Sequence, residues 1–126
     1  MNGIRLDGLK LEYANFSATD FSNSTLRGAN LANANFTFAI LNETDFSGAN
    51  LRGAVFTHAV LKNTIFVDAN LGHANFFNAD IWKTDFRGAN LNMAKFHQDS
   101  LHKMNLNRVN LRQAIVIPNP NANITN

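Results

Sequence analysis

The chain has 126 residues, enough for one domain and not comfortably for two. Charged residues make up only 16%, and the net charge of +2 gives no electrostatic case for nucleic acid and excludes a polyanion-like surface overall. The absence of cysteine excludes a disulfide framework and thiolate chemistry.

Residues 1–10 lack the basic-then-apolar layout of a signal peptide, and no apolar run in the chain approaches the roughly 18 residues of a membrane span. From Leu6 the chain is periodic. Leu6, Leu11, Phe16, Phe21, Leu26, Leu31 and Phe36 begin a series that continues every five residues to Leu111, always Leu, Phe or Ile. A period of five matches neither the 3.6 of a helix nor the 2 of a flat strand. Two residues before most central positions stands a small one, among them Ala29, Ala34, Ala54, Ala74 and Ala94, with a few Ser or Thr. One large and one small residue of each five therefore point inward, and three polar positions point out.

A longer period lies within the shorter one. Leu11, Leu31, Leu51, Leu71, Leu91 and Leu111 recur every twenty residues, as do Phe16, Phe36, Phe56, Phe76 and Phe96. The small position agrees, with Ser24, Thr44, Thr64 and Thr84 also twenty apart. Residue n should then stack on n+20, so that four pentapeptides make one turn of a four-sided coil. The central positions predict about five and a half coils, at about 4.8 Å per layer.

The small position turns bulky at both ends, at Ile4 and Leu9 and again at Met104 and Val109, which reads as caps on an open solenoid. Ile115, Val116 and Ile117 extend the apolar end, and Pro118 and Pro120 stop further strand pairing. The expected layout is one capped repeat domain over residues 1–117, followed by a mobile tail at 118–126.

The triplets Ala29-Asn30-Leu31, Ala49-Asn50-Leu51, Ala69-Asn70-Leu71 and Ala89-Asn90-Leu91, with Ala34-Asn35-Phe36 and Ala74-Asn75-Phe76, resemble the A-(D/N)-L-x-x consensus of the pentapeptide-repeat family. The resemblance covers about residues 4–116. It implies an all-β fold, a right-handed quadrilateral parallel β-helix, and a bacterial cytoplasmic protein, or a fragment of a secreted effector. It leaves function open, since family members include topoisomerase-protecting DNA mimics, a differentiation regulator and secreted effectors.

No catalytic, cofactor or metal constellation emerges, and the chain is expected to be no enzyme. His58, His73, His97 and His102 all fall at outward positions. His58 and His97 share a face two layers apart, roughly 10 Å, too far to share one metal ion. Gly28, Gly48, Gly53 and Gly88 look like corner residues. The column Asn30, Asn50, Asn70, Asn90 and Asn110 reads as structural, its amides bonding along the stack and to the turns.

Three surfaces remain as binding candidates. Phe38, Ile40, Val55, Val60, Phe77 and Trp82 are large apolar residues at outward positions, as are Ile65 and Val67, and they form a candidate patch for a protein partner. The end formed by Met104, Val109, Ile115, Val116 and Ile117 is a candidate for homodimerisation. Lys83, Lys95, Lys103, Arg108 and Arg112 make the C-terminal end basic, an alternative site for an acidic partner or phosphate backbone. A DNA-mimic role needs an acidic face, and the row Asp7, Arg27, Asp45, Asp68, Asp85, Arg87 mixes signs.

Overall fold

The computed structural model describes residues 2–118; Met1 and 119–126, which include Pro120 and nearly all of the expected tail, lie outside the described residues. The chain winds as a stack of parallel coils with a register of twenty. Parallel bridges join Arg5 to Thr25, Lys10 to Asn30, Asn15 to Asn35 and Asp20 to Ile40, and the same register repeats up to Asn75 and Lys95.

A pentapeptide with Asn or Asp before its central residue accounts for its five backbone N–H groups in a fixed way. The central N–H donates to the carbonyl nineteen residues on, as from Leu31 to Asn50 at 2.7 Å. The residue before it donates to the coil below, as from Asn50 to Ala29 at 2.9 Å. The second turn residue donates upward, as from Asn33 to Arg52 at 2.8 Å, and the next small residue closes the turn, as from Ala34 to Leu31 at 3.0 Å. The remaining N–H, on the first turn residue, is taken by the side chain of the Asn or Asp two residues earlier. The backbone of Ser17 donates to Asn15 Oδ1 at 3.0 Å, that of Ser47 to Asp45 Oδ1 at 2.9 Å and that of Asn107 to Asn105 Oδ1 at 3.1 Å.

The Asn or Asp before the central residue is therefore a turn cap, which accounts for much of the asparagine content. The Asn column is structural as expected: Asn50 Nδ2 donates to Asn30 Oδ1 at 3.2 Å and Asn90 Nδ2 to Asn70 Oδ1 at 3.3 Å.

The second turn residue has positive φ at every repeat from 3 to 93, between 55° and 73°. Together with the bond across each turn, this defines type II turns, whose third residue favours glycine. Gly28, at φ +64°, has nothing within 4 Å of where a Cβ would stand. Gly28→Ala should therefore cost only the left-handed backbone penalty, about 1 kcal/mol. Chemical denaturation checks this, and a loss several times larger would mean that the corner is packed.

The core is a column of side chains closed in by alanine. Phe16, Phe36, Phe56, Phe76 and Phe96 stack in sequence with centroids 4.8–5.3 Å apart. On the opposite wall Phe46, Phe66 and Phe86 stack at 5.2 Å. The two ladders meet edge to face, as Phe56 and Phe66 do at 5.5 Å and 79°. The hydroxyl column is buried and bonded: Thr44 Oγ1 donates to Phe21 O at 2.8 Å and Thr64 Oγ1 to Leu41 O at 2.7 Å. These hydroxyls are tolerated inside because each has an acceptor.

The regular pattern breaks near the C-terminal end. Strand β1 (Thr84–Asp85) pairs in parallel with β3 (Met104–Asn105), and β2 (Lys95–His97) with β4 (Ile115–Ile117). Between β2 and β3 the expected side of the coil is replaced by a 3-10 helix, Gln98–Lys103. The cause is legible in one residue. Position 99 is a small inward position, and it holds Asp99, which stays exposed. Placing a carboxylate against the Phe and Leu column would cost several kcal/mol, and the 3-10 turn keeps Asp99 exposed while Leu101 still packs on the core.

Candidate functional site

The site is built on two neighbouring sides of the rod. Phe38 is 61% exposed, Trp82 48% and Ile40 40%, while Val55, Val60 and Phe77 are half-buried. Ile40 bridges Val60, and Val60 bridges Asp80, so these three form one column. Phe38 stands at the corner two residues before Ile40, and Trp82 two residues after Asp80. Phe38 stacks on His58 with centroids 4.7 Å apart and an angle of 8°, and Phe77 lies against His97 at 4.8 Å. Each histidine is twenty residues beyond its phenylalanine, a pairing that the register contains and that a search for metal ligands passes over. Among the described residues no cluster of three or more potential metal ligands occurs.

The turn-capping pattern gives this surface its meaning. Ile40, Val55, Val60 and Ile65 occupy positions where Asn or Asp elsewhere caps the turn. Each gives up a side-chain bond worth about 1 kcal/mol, a loss that strand preference offsets only in part. At Val60 a substitute exists, since Lys62 N–H donates to Asn42 Oδ1 of the coil below at 3.2 Å.

The broken coil opens a groove beside Trp82. One depression of about 570 Å³ is lined by residues including Asn78, Asp80, His97, Asp99 and Lys103. A second, of about 480 Å³, is lined by Lys62, Asn63, Asp80, Trp82 and Lys103. They share Asp80 and Lys103. Lys83 Nζ lies 5.7 Å from the Trp82 ring centroid, a cation–π approach. Among the described residues no bridge continues from Asp80 to the next coil, so the regular ladder is interrupted there, while Ile81 stays fully buried and Leu101 still packs on the core.

The other two candidate surfaces are arranged differently. Met104 is buried at 8% exposure beside Thr84, while Val109, Ile115 and Val116 are half-buried and Ile117 is 39% exposed. Val116 pairs with Phe96 and so continues the phenylalanine wall. Lys83, Lys95, Lys103, Arg108 and Arg112 are all exposed. By the register of twenty they occupy four sides of the rod, and only Lys83 and Lys103 share one; Lys83 N–H donates to Lys103 O at 2.8 Å.

Three of the four acids in the mixed row are matched by arginines. Arg5 pairs with Asp7 at 3.0 Å, Arg27 with Asp45 at 3.6 Å and Arg87 with Asp85 at 2.7 Å. The Arg87 side chain holds the Asp85 carboxyl below the usual carboxylate range, against the opposing effect of burial. A depressed folded pKa stabilises above the unfolded value of about 3.9 and is lost as pH falls through the folded one. Asp85→Asn keeps the turn cap and removes the ion pair. It should change stability at neutral pH by less than about 1 kcal/mol, because the pair is partly exposed. Urea titrations across the acid range should show a shallower loss in the variant, and an unchanged acid limb would count against the assignment.

These stacked coils define a solenoid β-helix. A family model of pentapeptide repeats (8 copies) matches residues 1–37, 14–53, 29–66 and 54–92. The chain belongs to the pentapeptide-repeat family, whose members fold as right-handed quadrilateral β-helices. No curated protein matches significantly. Among solved structures it is similar to the pentapeptide repeat protein Rfr23 of the cyanobacterium Cyanothece 51142, at a TM-score of 0.60 and 22% identity over 95% of this chain and 87% of that one. It is also similar to HetL of the cyanobacterium Nostoc sp. strain PCC 7120, a protein involved in heterocyst differentiation regulation, at a TM-score of 0.58 and 27% identity, covering 94% of this chain. This chain spans 54% of HetL. The fluoroquinolone resistance protein QnrB1 shares the fold at a TM-score of 0.51 and 16% identity, over 91% of this chain and 75% of that one. Among the described residues no helix is long and apolar enough to cross a membrane.

Proposed function

We propose that this protein is a non-enzymatic interaction module, a rod of about five and a half coils that binds a protein partner through the surface running from Phe38 and Ile40 to Trp82. One observation carries the reading: large apolar side chains replace turn caps or stand exposed on two adjacent sides, beside a groove in an otherwise regular rod. Exposed aromatic side chains on a rigid support lose little entropy on binding and are typical interface anchors. HetL, with its part in differentiation regulation, has a role of the kind that a binding surface serves. Duplex mimicry would need an acidic face, and here three of the row's four acids are matched by arginines.

Phe38→Ser with Trp82→Ser tests the reading. Both side chains are exposed, so the double variant should keep the coil and lose no more than about 1 kcal/mol per site. Cross-linked pull-downs with wild-type and variant rods should recover a partner with the first alone. Equal recovery by both would sink the proposal, and unfolding of the variant would place these side chains in the core.

A further inference from the structure

We infer that the groove beside Trp82 receives an extended acidic segment of the partner, with an apolar residue on the indole and a carboxylate between Lys62 and Lys103. This deepens the interaction-module reading and rests on it. Three observations converge. The regular ladder stops at Asp80 because Gln98–Lys103 forms a 3-10 turn in place of a coil side, and this leaves a groove along the exposed coil edge at Asp80 in which an extended peptide can lie. Trp82 stands half-exposed on that edge. Lys62 and Lys103 line the depression around it with one carboxylate, Asp80, and Lys83 Nζ stands 5.7 Å from the indole, so the lysines outnumber the acid beside Trp82.

That charge pattern selects a peptide over a nucleic acid. A polyanion presents charge at every step and needs a basic track that follows it. Here the neighbouring depression carries both Asp80 and Asp99, which would repel the next phosphates. A peptide can place its acid at the lysine end and a neutral or basic residue toward Asp99. Burying the carboxylate beside apolar surface strengthens its attraction to the lysines, and salt should weaken it.

Trp82 is the sole tryptophan, so its emission reports on this groove. A random linear peptide library displayed on phage should be selected against the intact rod. Selected peptides should carry Asp or Glu beside an apolar residue, and synthetic copies should shift Trp82 emission. Lys62→Glu with Lys103→Glu, whose fold is checked by circular dichroism, should weaken them by about tenfold or more. Failure to select any peptide, selection without acids, or unchanged binding to the charge-reversed rod would each overturn the inference. A larger emission shift with an oligothymidylate would overturn it in favour of nucleic acid. Peptides that lose binding to Phe38→Ser but not to the charge-reversed rod would overturn the groove while sparing the interaction surface. The cross-linked pull-down judges the parent reading independently.

Discussion

Phe66→Ala should destabilise the fold by about 3–5 kcal/mol, near the upper end for a single core truncation. Phe66 is fully buried at mid-rod. It stacks on Phe46 and Phe86 at 5.2 Å each, and meets the edges of Phe56 at 5.5 Å and Phe76 at 5.8 Å. Truncation removes these four aromatic contacts along with the transfer energy of the ring. The void has little means of closing, because layer spacing is fixed by backbone bonds such as Phe66 N–H to Asp85 O at 2.8 Å. Phe16→Ala at the half-buried first layer should cost less, since solvent can reach that site. Urea denaturation should be followed by circular dichroism and by Trp82 emission. Equal losses at the two sites would mean that the ladder is not the principal source of stability. Divergence of the two signals in Phe66→Ala would show the rod uncoupling into separate halves, as nearest-neighbour stacking permits.

The ladder is open to reading because a solenoid repeats one local solution. A central Leu or Phe every five residues fixes the inward direction, and like residues every twenty fix the register. Even the Asn column follows, and its bonds to the turns with it: each side-chain oxygen takes the N–H two residues on. The partners of the surface aromatics are equally available, since His58 and His97 stand twenty beyond Phe38 and Phe77. They escape notice because histidine invites a search for metals, whereas here its ring serves as a flat surface. The groove is hidden for a different reason. The period of central residues runs unbroken through Leu101, and the small position at 99 departs from it. A large residue every five is necessary for a coil, but the small inward residue decides whether the backbone can close.

That rule makes a reciprocal pair of substitutions informative. Ala59 stands two coils before position 99, in the same inward column, and is 1% exposed. Ala59→Asp should cost about 3 kcal/mol or more, because the carboxylate must be buried without a partner or the coil must open. The reverse change, Asp99→Ala, turns residues 99–103 into Ala-Ser-Leu-His-Lys, a regular repeat. The 3-10 helix should then become a side of the coil, with Leu101 fully buried and a bridge from Asp80 to Ser100. Burying the rest of Leu101 should raise stability by about 1 kcal/mol. Amide hydrogen exchange at Ile81 and Ser100 should slow, and the groove beside Trp82 should fill. The variant would be more stable than the parent and yet unable to take a peptide there, which separates the site from the scaffold. Unchanged exchange at Ile81 would mean that the 3-10 turn is fixed by Gln98–Lys103 as a whole and not by the carboxylate at 99.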